Sequence, residues 1–573
     1  MNPAAQTVKF RNLFPLLFHQ ALIWGPFVIG LGWLVIRPIG LHFSVMPGNY
    51  GDTRLINYIL EHFFRWVSGL EPHYWSARFF YPFPLALAFS DNLLGSAPFY
   101  AAFRVLGFNR ELSLQIWFIL GFTLNFLAAA FVLRRFAFHP LAVGLGAFFF
   151  TFGLPMLAQI GHLQLLYRFC VPLAAYLLWQ FANTPRWWKL AAVFLLTLWQ
   201  LWISVYIGVF LVLLLLVMVV LMPFFQPSRS ERRSRIALWP NALDAAWKHA
   251  AVPGKLLLLG SALSLAAGAL ALFLPYVEVT RLYNFNRGWP EVMTMLPRPQ
   301  SYFIADHAAH WRPISRLFMG VTMRHEHQMF LGLSVFALLL TGLLLRFQNR
   351  HRRLALYSLA VVAVFVLLTL VIGDFSLYRV LWMIPGMDSI RSVTRIQLVW
   401  MWPLAVFLAF TIDGLLEDSR KRPALLALAG LMIAGLFLEP FAFTYWQRYS
   451  TRHARERVAE IRAKLPTDLP QDPILFLADK PDESEVVSEV DAMLLAQELG
   501  WPTLNGYSGN HPPGYQPAHS CIELPRRILN YMEFSGTKDE AVYRALMERV
   551  VPVGFTDCDP AWWQSAPAGS TLE

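Results

Sequence analysis

The stretch FPLLFHQALIWGPFVIGLGWLVI, residues 14–36, decides the class of fold. A helix needs about 20 apolar residues to cross about 30 Å of hydrocarbon, and this run meets that length. Lys9 and Arg11 precede it as they would a signal peptide, but the run is longer than a signal core and no small-residue cleavage site follows at Trp33–Gly40. It reads as a retained anchor. Further runs of spanning length, give or take a few residues, lie at 114–133, 141–159, 169–183, 256–276, 328–345, 354–372, 396–413 and 424–441. The composition agrees: 56% hydrophobic and 14% charged residues, with mean hydropathy +0.46, exclude a water-soluble fold for most of the chain. Aromatic residues at 15%, 21 of them Trp, suit the two interfacial belts of a bilayer.

The run 190–222 would be about 50 Å long as one helix, so it is either one protruding helix or two short legs, and the distribution of charge favours a hairpin turning near Ser204-Val205-Tyr206. With that hairpin, and with 92–108 not spanning, about eleven transmembrane helices are predicted, N-terminus inside and C-terminus outside. The inner segments then hold 19 Lys and Arg in 77 residues and the outer loops 16 in 160, the bias expected of cytoplasmic loops. Before residue 442 every lysine (Lys9, Lys189, Lys248, Lys255, Lys421) falls inside, and every outer basic residue is Arg. The planar guanidinium fork matches phosphate oxygens in a way an ammonium does not. The formal charge of +11 is spread over short clusters between apolar runs, which speaks against nucleic acid. Pro227–Arg235 reads as a basic inner loop.

Two regions follow: a transmembrane module, 1–441, and a polar tail, 442–573. The tail is expected to be a small extracytoplasmic α/β or α+β domain, with a basic helix at Tyr449–Lys464, a strand at Pro473–Ala478, a helix around Ser488–Leu499 and a strand at Val550–Phe555. Cys521 and Cys558 both fall in it; their spacing leaves open whether they form a disulfide.

The first outer loop, 37–113, is far longer than a connector needs, and long ordered loops are usually functional. Gly51-Asp52-Thr53-Arg54 holds the first acidic residue of the chain, just beyond the first span. Leu55–Leu70 carries apolar residues at helical spacing, suited to a helix lying in the interface. Trp75, Arg78 and Tyr81 follow, then Ser90-Asp91-Asn92. A carboxylate at a membrane surface is costly without a partner or a task. Transfer of a sugar from a lipid phosphate to a hydroxyl supplies one: a base takes the acceptor's proton and cations hold the departing phosphate. A capping role for Asp52 at a helix beginning near Arg54 is the open alternative.

In this arrangement the chain resembles the glycosyltransferase C (GT-C) superfamily of membrane glycosyltransferases: an inside N-terminus, a first span leading into a long loop with an early acidic residue, interfacial helices there, and many further spans. The resemblance covers roughly residues 10–440 as architecture. It implies an all-α polytopic enzyme of the bacterial cytoplasmic membrane that uses a polyprenyl-phosphate or polyprenyl-diphosphate sugar donor and a glycan, lipid or protein acceptor. It also implies Asp52 as catalytic base and Asp91 as a second acidic or metal-binding group.

Candidates for binding substrate or phosphate are Arg54, Arg78, His162 and Gln164 in a short outer loop, Arg312, Arg316 and Arg324, and Arg391 with Arg395, which share a helical face. Asp306, His307 and His310 are candidate ligands for a divalent metal, though their spacing matches no strong zinc pattern. The tail segment Asn505-Gly506-Tyr507-Ser508-Gly509, followed by Pro512-Pro513, is also singled out. A lipid or polysaccharide transporter or flippase is the alternative function, but the charges crowd at one rim rather than at the bilayer midplane. A non-catalytic assembly protein would have no need of the long first loop.

Overall fold

The computed structural model describes residues 3–225, 237–345, 350–419, 423–444 and 447–567; the predicted basic loop Pro227–Arg235 and Lys421 lie outside them. The chain is a polytopic helical protein. Among the described residues, eight helices are long and apolar enough to cross a membrane: Leu17–Ile39, Arg110–Arg135, Pro140–Ala158, Leu163–Asn183, Val205–Phe225, Val252–Tyr283, Arg352–Thr369 and Val393–Glu417. Three shorter apolar helices, Trp187–Ile203, Leu333–Leu344 and Ala427–Ala442, fall where the other three crossings are predicted. Twelve residues at about 1.5 Å each reach only about 18 Å, so Leu333–Leu344 by itself is shorter than a bilayer core.

The predicted break in 190–222 is present. Trp187–Ile203 ends and Val205–Leu221 begins at Ser204, whose backbone is extended. The two helices meet closely at Gly208, where an added Cβ would lie 2.5 Å from the Cα of Leu201. Val393–Glu417 is the central helix, almost wholly enclosed by the others. Val252–Tyr283, by contrast, turns Leu256, Leu263 and Leu270 outward, as a lipid-facing helix does. At 32 residues it is about 48 Å long and overshoots a bilayer. Its overshoot is used: Tyr276 donates to the carbonyl of Ser90 (3.0 Å) and Tyr283 to that of Pro84 (2.7 Å), bracing the first long loop. Arg168 is fully buried in the bundle and donates to the carbonyls of Leu398 (2.8 Å) and Phe150 (2.9 Å), so a costly buried cation ties three helices together.

Residues from 447 onward pack on the first loop. Arg448–Ser450 pairs antiparallel with Val45–Pro47. The helix Thr451–Ala463 follows, then a parallel pair of strands, Ile474–Leu477 and Val550–Val553, with helices Glu485–Leu499, Glu523–Ser535 and Glu540–Met547 between them. Cys521 and Cys558 are joined in a disulfide. The first-loop helix, Asp52–Val67, departs from the surface helix expected of its sequence. One face (Leu55, Ile56, Ile59) is buried in the core, and on the opposite side Arg54 pairs with Asp491 of the tail (2.6 Å). It is sandwiched because the tail supplies polar partners that a bilayer surface would not.

Candidate active site

Asp52 is the first residue of the helix Asp52–Val67. Gly51, not Asp52, stands at the cap position, and the Asp52 carboxylate turns outward to other elements. Tyr507 donates its hydroxyl to Oδ1 (2.7 Å), and His162 brings Nδ1 to 3.5 Å from Oδ2. Across the imidazole, Nε2 of His162 lies 3.5 Å from Oε1 of Glu326. Arg395 closes the chain: its Nε and Nη2 grip the two Glu326 oxygens at 3.1 and 2.6 Å, and its guanidinium stands over the Tyr206 ring at 5.2 Å. The order Tyr507, Asp52, His162, Glu326, Arg395 thus draws on the tail, the first loop and three other parts of the bundle.

Each member is held by its own local structure. The segment Thr503–Asn505 runs beside the first loop, with Phe80 N donating to Asn505 O (3.0 Å) and Tyr81 N to Thr503 O (2.9 Å). Gly506 then passes so close to the Phe80 ring that a Cβ would fall 2.2 Å from it; only glycine fits, and the next residue, Tyr507, is delivered to Asp52. His162 sits in the short link between Pro140–Ala158 and Leu163–Asn183. Glu326 rides a turn fixed by its neighbour His327, whose ring bonds Ser301 Oγ (2.7 Å) and Thr294 O (2.8 Å). Arg395 lies at the start of the central helix.

Electrostatics sort these groups. Burial opposes ionisation of Glu326, but Arg395 and then His162 overcome it and hold the carboxyl well below the usual range. Glu326 is therefore a fixed anion. Burial, reinforced by the charge of Asp52, raises the Tyr507 hydroxyl far above its ordinary value, so it remains a donor at every physiological pH. Asp52 keeps 28% of its side chain exposed and His162 23%, which leaves both within reach of a substrate.

Asp91 has a different setting. Its oxygens accept from Ser204 Oγ (2.6 Å), Val205 N (2.9 Å) and Asn92 N (3.0 Å), so it caps the helix Val205–Leu221. Burial pushes its carboxyl up to about 6 despite these bonds. A carboxyl raised on folding favours the protonated state, so its contribution to stability is largest at low pH and declines as pH rises from about 4 to about 6. We expect thermal unfolding of purified protein to show that decline, and Asp91→Asn to remove it; an unchanged slope would refute the assignment.

The other predicted residues are placed elsewhere. Arg78 bonds Glu71 (2.7 Å) and the Gly500 carbonyl, fastening loop to tail. Arg312 bonds the Asp306 carbonyl (2.9 Å) and Thr444 (2.6 Å), and Arg324 grips the Asp306 carboxylate (2.7 and 2.8 Å). Arg316 is exposed, and the Gln164 side-chain oxygen is buried without a hydrogen bond. Arg391 lies 3.3 Å from Glu291 and close enough to Tyr507 to act on its charge. As for a metal, Asp306 is taken up by Arg324, Ser315 and Gln328, which outweigh its burial and bring its carboxyl to about 2. It does not meet His307 and His310 in a ligand set: among the described residues no three His, Cys, Asp or Glu side chains form a metal-holding group. Asp52, His162 and Glu326 have suitable donor atoms, but the two ring nitrogens each face a different carboxylate, so the imidazole stands between the acids rather than beside them.

Glu326 and Tyr507 were not among the residues predicted. Glu326 is the sole acidic residue between Asp306 and Asp374, set among basic ones just before an apolar run, and that isolation was its one signal. Tyr507 lay in a segment already noted, but no local pattern assigns it a partner 455 residues away.

No protein-family model matches the sequence, and no curated protein matches it. Among solved structures the chain is similar to the archaeal oligosaccharyltransferase AglB from Archaeoglobus fulgidus in complex with an inhibitory peptide and a dolichol-phosphate, at 13% identity and TM-score 0.46, over 88% of this chain and 65% of that one. It is also similar to the Archaeoglobus fulgidus oligosaccharyltransferase in complex with Zn and sulfate, at 14% identity and TM-score 0.46, over 86% of this chain and 62% of that one. The alignments span less than two thirds of either protein's length.

Proposed function

We propose that this chain is a membrane glycosyltransferase of the GT-C type that moves a sugar from a polyprenyl-phosphate or polyprenyl-diphosphate to an acceptor hydroxyl, at the outer face of a bacterial cytoplasmic membrane. The observation that carries the reading is a partly exposed carboxylate, Asp52, oriented by Tyr507 and His162 at the loop end of a helical membrane bundle. In the step, the acceptor oxygen forms its bond to the anomeric carbon as the bond from that carbon to the phosphate oxygen breaks. The acceptor proton passes to Asp52, and the electron pair leaves with the phosphate. Arg391, whose charge reaches Tyr507 and which lies 3.3 Å from Glu291, is the cation we assign to the departing phosphate. His162, held between two acids, keeps Asp52 in place. The tail, 442–573, then belongs to the catalytic unit because it supplies Tyr507.

The test is transfer of labelled sugar by purified protein in lipid nanodiscs, with polyprenyl-phosphate and polyprenyl-diphosphate sugars in separate arms. EDTA is added in a further arm, so a divalent-metal requirement is read in the same assay. Turnover in either donor arm supports the reading; no transfer to glycan, lipid or peptide acceptors overturns it. Tyr507→Phe is expected to lower kcat about tenfold with little change in KM, since it removes one oriented hydrogen bond to a charged group. A rise in KM alone would make Tyr507 a substrate-binding residue instead.

A further inference from the structure

One cavity lies away from Asp52. It measures about 560 Å³ and opens on the other side of the helix Asp52–Val67, between that helix, the start of Arg110–Arg135, and the helices Thr451–Ala463 and Glu485–Leu499. Six arginines line it: Arg54, Arg65, Arg104, Arg110, Arg455 and Arg462. The acidic residues on its wall are Glu61, Glu111 and Glu498. Arg54, Asn57, Glu61 and Arg65 recur at helical spacing and form one stripe of the first-loop helix. Asp52, two residues from Arg54, is turned about 200° away, so the cavity and the Tyr507–Asp52–His162 chain lie on different faces.

We propose that this cavity binds a phosphate-bearing anion. On the wall Arg104 is held by Glu61, Arg65 by Glu71 and Arg54 by Asp491, which leaves the rim arginines Arg455 and Arg462 as the groups able to turn to phosphate oxygens, which the guanidinium fork matches well. At the rim, Arg455 and Arg462 are half-exposed and held only by Glu111 (2.9 Å) and Glu498 (2.7 Å). Such surface pairs are weak and can exchange for a phosphate partner.

The position of the cavity defines two sources for that chemistry. Its wall includes Asn109, Arg110 and Glu111, where a membrane-spanning helix begins, and Val67, Leu70, Val105 and Leu106 stand exposed on the same loop. Apolar side chains beside arginines at a helix end suit the headgroup layer. The phosphate belongs either to the headgroup of an anionic lipid or to a soluble anion. The inference does not rest on sugar transfer and stands if that reading fails.

Full-length protein in zwitterionic nanodiscs is titrated calorimetrically with inorganic pyrophosphate. In parallel, native mass spectrometry counts phosphatidylglycerol retained after exchange from vesicles that contain it. The test variant is Arg455→Gln with Arg462→Gln, chosen because neither residue is buried; Arg452→Gln, exposed on the same helix but outside the cavity wall, is the control. Binding in either arm, weakened about tenfold or more in the double variant and unchanged in the control, supports the proposal. Pyrophosphate alone identifies a soluble anion, and lipid alone a headgroup. No binding in either arm, or equal binding by the double variant, overturns it. An unchanged melting temperature of the double variant separates loss of the site from loss of the fold.

Discussion

Asp52→Asn is expected to lower turnover by about a thousandfold while leaving the fold and the affinity for donor lipid intact. The amide is nearly isosteric and can still accept from Tyr507 at 2.7 Å, but it cannot take a proton from an acceptor hydroxyl. Loss of a positioned general base typically removes between about a hundredfold and ten-thousandfold of rate. The measurement is kcat for sugar transfer beside a binding assay with the donor lipid and a melting curve. Full activity in the variant would remove Asp52 as base. Activity lost together with donor binding would make it a binding residue.

Arg395→Met should produce the largest loss of stability at the site, about 3–5 kcal/mol, because it strips a buried anion of its cation. Glu326 is 3% exposed, and its low pKa is the work of Arg395 and His162 against burial. In the native protein a carboxyl depressed on folding contributes stability above its unfolded pKa and loses it as pH falls. With Arg395 gone burial prevails, the carboxyl rises, and the sign reverses: the variant becomes more stable as pH drops. Adding Glu326→Gln should restore most of the loss and abolish that dependence. Thermal unfolding between about pH 3 and pH 8 checks all three statements, since the native loss lies below the unfolded carboxyl pKa and the variant's rise above it. A single variant as stable as the wild type would mean the pair is not coupled to folding.

The membrane helices were legible because a bilayer judges a segment by itself. The run 190–222 is the clear case. Its length allowed one protruding helix or two short legs, the balance of charge favoured the second, and the break falls at Ser204, inside the turn predicted. The tail elements were legible for a similar reason, as alternation and helical spacing are local: the strand expected at Pro473–Ala478 is Ile474–Leu477, and the helix around Ser488–Leu499 is Glu485–Leu499. The arginines show where such reading stops. Arg78, Arg312 and Arg324 had the right chemistry for phosphate, yet Glu71, Thr444 and Asp306 already hold them. Nothing within a few residues of each foretells that capture.

Taken by itself, the chain's order of residues determined that it is a polytopic helical protein with a long first loop and an early carboxylate, since hydrophobic length and periodicity are set within a single segment. Only the tertiary structure decided which groups Asp52 meets. Tyr507, His162, Glu326 and Arg395 come from distant segments, and their meeting depends on close packing: Gly506 against Phe80, and the turn fixed by His327. A charge or hydroxyl acquires its role from partners within about 4 Å, and folding, not adjacency in the chain, supplies those partners.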